Sequence, residues 1–152
     1  MGYLMKAALY TRVSTEEQSK EGVSLSNQLD KCRLQAQLSE LSIVREIQDG
    51  GKSGKSLNRP GIEEIIRLAK RKEIDAVVIY KLDRLTRNVS DLNRLIELFT
   101  KCGVSLISVK DSLDTQTAAG RMVINILGTI SQWERERYVP GRHETQSALS
   151  LV

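Results

Sequence analysis

The run Ala76–Tyr80 (AVVIY) constrains this chain more than any other stretch. It is too short for a helix, lacks polar alternation and is rich in β-branched residues. Such a run reads as a strand covered on both faces, which belongs to a parallel sheet with helices on either side. Other segments fit the same plan. Lys6–Ser14 (KAALYTRVS) is a buried strand ending in a polar turn, Ile43–Ile47 a short strand, and Val104–Val109 another. Between them, Ser24–Ser39 carries Leu25, Leu29, Cys32, Ala36 and Leu38 near helical spacing, with Ser24 or Ser26 available as a cap. A second helix opens at Pro60 and holds Ile62, Ile65, Ile66 and Ala69 on one face, and a third spans about Val89–Lys101. Alternating strands and helices predict an α/β domain with a mainly parallel central sheet of four to five strands flanked by helices.

The last element is a long amphipathic helix from Ala118 to about Tyr138. Ala119, Val123, Ile126, Ile130 and Trp133 follow three-and-four spacing, and Met122 and Leu127 widen the stripe. At ~1.5 Å per residue the helix reaches about 30 Å. The stripe suits packing on the chain's own sheet or a contact between subunits. Val139-Pro140-Gly141 then breaks the pattern, so residues 1–138 are expected to form the domain and 139–152 an irregular or disordered tail.

Composition narrows the partners. With 23 basic against 19 acidic residues the chain carries a net charge of +4, which permits a polyanionic partner without requiring one. Four basic residues, Lys81, Arg84, Arg87 and Arg94, crowd one stretch. Aromatic residues are scarce, which argues against a reader that stacks single-stranded bases. Two cysteines and one histidine offer almost no ligands for a zinc or redox site, so no metal and no cofactor are expected. No run has the length of a membrane span and the N-terminus does not read as a signal peptide. The expected location is the cytoplasm, with reduced thiols and no membrane partner.

The segment Asp49–Ser56 imitates a nucleotide-binding loop, because Gly54-Lys55-Ser56 follows a strand. A phosphate cradle needs glycine where this chain has Asp49, and needs a helix starting at the Lys-Ser pair. Leu57-Asn58-Arg59-Pro60 delays that helix, so ATP chemistry is not expected.

Three stretches carry chemistry: Tyr10–Thr15, the loop from Ser53 to Arg59-Pro60-Gly61, and Lys81–Arg87. Strand periodicity puts Arg12 and Ser14 on one face at a strand exit. In a parallel sheet the exit carrying Lys81–Arg87 falls on the same edge. Arg84 and Arg87 share a face if their turn is helical. Guanidinium groups match phosphate oxygens and stay charged, so several of them beside a hydroxyl suit attack on a phosphodiester. No histidine lies among these residues, so Ser14 is activated by charge and geometry rather than by a Ser–His pair.

These residues resemble the serine recombinases of the resolvase/invertase type, and among them the large integrases and transposases. The likeness covers Lys6 to Arg137 and rests on Tyr-x-Arg-Val-Ser at Tyr10–Ser14, Ser53-Gly54, Arg59-Pro60-Gly61, Leu-Asp-Arg-Leu-x-Arg at Leu82–Arg87, and Glu134-Arg135. The resemblance implies a resolvase-like catalytic domain in which Ser14 attacks a DNA phosphate, releases a 3′-hydroxyl and leaves a 5′-phosphoserine link, without ATP or metal. It implies that Arg12, Arg84 and Arg87 hold the phosphate with Arg59 in support, and that Gln28 positions the nucleophile. Asp83 would orient Arg12 or a neighbour, or take part in proton transfer. Tyr10, Ser53, Glu134 and Arg135 match positions that contact the phosphate or support those that do. It further implies a homodimer or homotetramer through the final helix. Because Pro140 ends that helix and no DNA-binding domain follows in the sequence, DNA binding by this chain should be weak and salt-dependent. The competing reading is an idle remnant that only oligomerises.

Overall fold

The computed structural model describes residues 3–13, 25–50 and 57–137. Five strands, β1 (Lys6–Val13), β2 (Ser42–Gly50), β3 (Ala76–Ile79), β4 (Ser105–Ser108) and β5 (Leu113–Asp114), form one sheet in the order β2-β1-β3-β4-β5. The first four in that order run parallel, and β5 is antiparallel to β4. Among the described residues the α-helices are α1 (Leu25–Leu38), α2 (Pro60–Lys70), α3 (Val89–Lys101) and α4 (Ala118–Arg137), with a short 3-10 turn at Leu82–Arg84. The predicted α/β class and mainly parallel sheet are observed.

Alternation along β1 divides the interior into two layers. Ala7 and Leu9 pack with Leu29, Cys32 and Ala36 of α1. Ala8 and Tyr10 point the other way, among Ile62 and Ile65 of α2 and Leu95, Ile96 and Phe99 of α3. β3 is buried at every residue, as its unbroken apolar sequence requires. Burial of the Cys32 thiol pushes its pKa up to about 12.

Two elements differ from the sequence reading. β2 is longer than Ile43–Ile47, because its pairing with β1 continues through Arg12↔Asp49 and Val13↔Gly50. That ladder overrides the poor strand preference of Asp and Gly and puts Asp49 in a strand rather than a loop. β5 is a two-residue strand, too short to leave a periodic signature.

The α4 stripe also divides differently. Ile124 and Leu127 pack against the core, whereas Met122, Ile126, Ile130 and Trp133 are exposed, with Met122 60% and Trp133 54% accessible. Beside Ile124 and Leu127 the inner face carries small and polar residues. Gly120 lies so close to β5 that an added Cβ would sit 1.9 Å from the Asp114 carbonyl oxygen. Buried Ser131 donates to the Ser90 hydroxyl of α3 at 3.1 Å. No helix among the described residues is long and apolar enough to cross a membrane.

Candidate active site

The C-terminal edge of the sheet brings the exits of β1, β2 and β3 together, and the arginines gather there. Arg12 leaves the end of β1 on the α2/α3 side, two residues after Tyr10, and is fully buried. Its Nε donates to the Arg84 carbonyl oxygen at 2.9 Å and its Nη2 to the Asp83 carbonyl at 2.9 Å. Arg59, 2% exposed at the N-terminal cap of α2, reaches the same turn. Its Nη1 donates to the Arg84 carbonyl at 3.3 Å and its Nη2 to the Leu85 carbonyl. The backbone of the 3-10 turn is thus gripped by two guanidinium forks from two other elements. Each fork satisfies carbonyls that a short turn leaves without internal partners.

Arg84 is 1% exposed, with its Nε 3.8 Å from Asp83 Oδ1. On its other side Asp83 faces Lys81, Oδ2 to Nζ at 3.8 Å. Leu85, fully buried in the larger core layer, ties the turn down from below. Arg87 is exposed. Arg84 and Arg87 therefore do not share a helical face, because the 3-10 turn ends at Arg84. Asn88 then caps α3, its Oδ1 accepting from the Asp91 amide at 2.9 Å.

Asp49 is a member of this site that sequence reasoning missed, since it served there only as an argument against a phosphate loop. It is 6% exposed at the end of β2, where Oδ2 accepts from the Tyr10 hydroxyl at 2.8 Å and Oδ1 from the Gly61 amide at 3.0 Å. Residue 61 favours glycine, because a Cβ there would lie 2.5 Å from Asp49 Oδ2 and would have to displace that carboxylate. The Arg59 guanidinium carbon stands 5.9 Å from the centre of the Tyr10 ring. Burial drives the Tyr10 phenol well above the ordinary tyrosine pKa; the Arg59 charge opposes this and the Asp49 hydrogen bond adds to it. The Arg-Pro-Gly motif is thereby explained locally. Arginine crosses to the turn, proline starts α2, and glycine admits the Asp49 carboxylate. A strand-terminal acid followed twelve residues later by Gly after Pro was the available signal.

Gln28 is fully buried on α1, and neither polar atom of its amide has a hydrogen-bond partner among the described residues. It lies on the opposite side of the sheet from Tyr10 and the arginines, in the helix that packs on Ala7 and Leu9. Glu134 and Arg135 stand exposed on α4, and Arg135 Nη1 donates to Ser131 Oγ at 3.0 Å rather than to the arginine cluster. Ser14 and Ser53 lie outside the described residues, as does the tail at 139–152. The structure therefore joins Arg12, Arg59, Asp83, Arg84, Tyr10 and Asp49, and leaves Glu134 and Arg135 apart.

A family model described as "Resolvase, N terminal domain" matches residues 7–148. The chain is 37% identical over 127 residues to the transposon Tn917 resolvase of Enterococcus faecalis, covering 84% of this chain and 61% of that protein. It is 35% identical to the DNA-invertase of Escherichia phage P1, covering 86% and 62%. The chain thus spans about three fifths of the length of these relatives. Among solved structures, the N-terminal catalytic domain of TP901-1 integrase superposes with a TM-score of 0.79 at 39% identity, covering 86% of this chain and 97% of that one. A resolvase family site-specific recombinase from Streptococcus pneumoniae gives 0.75 at 31% identity, covering 97% of each.

Proposed function

Because the chain belongs to the resolvase N-terminal-domain family, as a serine recombinase catalytic domain, we propose that it cleaves and rejoins DNA by transesterification through Ser14. In this reading the Ser14 hydroxyl oxygen attacks a backbone phosphorus. The bond to the 3′ oxygen breaks, that oxygen takes a proton and leaves as a hydroxyl, and the 5′ phosphate remains esterified to serine. Attack by another 3′-hydroxyl reverses the step and re-forms a phosphodiester, so bond energy is conserved.

The observation that carries this reading is the gripped arginine turn at the end of the sheet. A pentacoordinate phosphate gains negative charge, and guanidinium groups fixed before the reaction stabilise it without reorganisation. Arg84 and Arg87 supply that charge. Arg12 and Arg59 hold carbonyls of the turn, so they set its position as well as contributing field at the site. Asp83 balances Arg84 and Lys81. The role of Gln28 in orienting the nucleophile rests on the family resemblance, since its buried amide lies on the side of the sheet opposite the arginines. The exposed face of α4, with Met122, Ile126, Ile130 and Trp133, supports assembly into a homodimer or homotetramer.

The test fuses the full chain to a heterologous sequence-specific DNA-binding domain and offers paired sites flanking a crossover. A covalent protein–DNA adduct that survives denaturant and is lost in Ser14→Ala supports the proposal. An adduct indifferent to Ser14→Ala removes Ser14 as nucleophile. No adduct, with self-association retained, favours the idle oligomerising remnant.

A further inference from the structure

We propose that Asp111, which follows β4 and belongs to none of the motifs above, is a positioning residue for the turn that presents Arg84 and Arg87. The inference deepens the functional reading and rests on it, although its structural half is tested without DNA.

The parallel ladder of β3 and β4 does not end with the strands. Ile79 pairs with Ser108, and then the Val109 amide donates to the Ile79 carbonyl at 2.9 Å and the Lys110 amide to the Tyr80 carbonyl at 2.8 Å. The segment after β4 therefore follows the segment after β3 residue by residue and delivers Asp111 beside Leu82. Ser112, with φ of 50°, turns the chain back toward β5 directly after Asp111.

Leu82 is the first residue of the 3-10 turn, so its amide has no acceptor inside the turn. Lys81, at the cap position, provides no side-chain capping hydrogen bond. Asp111 Oδ2 accepts from that amide at 2.8 Å. The same oxygen accepts from the Ser108 hydroxyl at 2.7 Å, and Ser108 is 1% exposed within the sheet. The acid is thus aimed by a buried hydroxyl and in turn aims the start of the turn. The later groups of the turn are held separately, by Arg12 and Arg59 on its carbonyls and by Leu85 in the core. Asp111 is the anchor for the entry of the turn, and the two guanidinium forks are the anchors for its exit. With only the exit held, Lys81 to Asp83 can rotate, and the Arg84 and Arg87 guanidinium groups lose their fixed aim. An acceptor oxygen is what the geometry needs, so asparagine at residue 111 preserves the function and alanine does not.

The experiment compares wild type, Asp111→Ala and Asp111→Asn in the full 152-residue chain. Amide hydrogen exchange, measured without DNA, is expected to show Leu82 deprotected in Asp111→Ala and protected in Asp111→Asn, with the amides of β1 and β3 protected in both. Carried on the DNA-binding fusion, Asp111→Ala is expected to form the Ser14 adduct at least about tenfold more slowly at saturating DNA while DNA affinity stays within about twofold, and Asp111→Asn to restore most of the rate. Retained protection of Leu82 in Asp111→Ala overturns the anchor. An unchanged adduct rate in a variant whose Leu82 amide is deprotected overturns the positioning role. A wild-type domain that forms no adduct at all removes the functional reading, and with it the role of Asp111 in catalysis. That failure is distinguishable because the exchange result is obtained independently.

Discussion

The carbonyl oxygen of Arg84 is shared by Arg12 and Arg59, at 2.9 Å from Arg12 Nε and 3.3 Å from Arg59 Nη1. Two residues 47 positions apart in sequence meet on a backbone atom of a third. The guanidinium plane allows this, since each fork also reaches a neighbouring carbonyl of the same turn.

Lysine in place of Arg12 tests that arrangement. A lysine ammonium gathers its donors on one atom instead of a planar fork, so Arg12→Lys loses one of the two charge-assisted bonds to the turn or weakens both. The expected loss is about 1–3 kcal/mol of unfolding free energy, read from urea denaturation. A variant as stable as wild type would show that the grip on the turn contributes nothing to folding.

Alkaline stability follows from Tyr10 and Cys32. Burial raises both above their ordinary values of 10.0 and 9.0, and places Cys32 at about 12. The unfolded chain releases these protons first, so the stabilisation is complete below pH 9.0 and is lost as pH climbs toward the folded values. Urea midpoints taken at rising alkaline pH should decline. The decline should be shallower in Tyr10→Phe and in Cys32→Ala, each measured against its own value near neutrality. Parallel slopes in all three proteins would refute the assignment.

Gly61 and Asp49 should be energetically coupled. Gly61→Ala drives a methyl group into a carboxylate that Tyr10 holds in place, at an expected cost of about 1–3 kcal/mol. Asp49→Ala removes the obstacle, so the double variant should be more stable than the sum of the single effects predicts. Strict additivity would mean that the close approach is relieved by some other movement.

The outer face of α4 offers a separate reading. Ile126 is 51% exposed, so Ile126→Lys should leave thermal stability nearly unchanged. Sedimentation equilibrium should show weaker self-association in this variant. An unaltered association constant would remove the helix face from the interface.

The sheet was legible because β3 and β1 are apolar beyond what an exposed strand tolerates, and because Pro60 and the spacing of Ile62 and Ile65 mark α2 plainly. The arginines were legible as a group because they stand at strand exits. Their division of labour was not. Periodicity treats Arg84 and Arg87 as partners on one face, whereas the backbone stops its 3-10 turn between them. Asp49 was hidden by its neighbours, since a Gly-Gly-Lys-Ser-Gly segment reads as loop and only pairing with β1 extends the strand to reach it. The α4 stripe left two readings open for a related reason. Helical spacing identifies apolar faces but cannot say which face meets the body when the inner one mixes Ile124 and Leu127 with Gly120, Gly128 and Ser131.

That inner face has a consequence for how such a domain diversifies. The largest apolar side chains of α4, Met122, Ile126 and Trp133, lie on its opposite, exposed face, where the fold of this chain does not depend on them. Changes among them leave the sheet, the gripped turn and the Asp49 contact untouched. Under the proposed function, the surface that would select a companion and the residues that would carry the chemistry are therefore separable, each able to change while the other is kept.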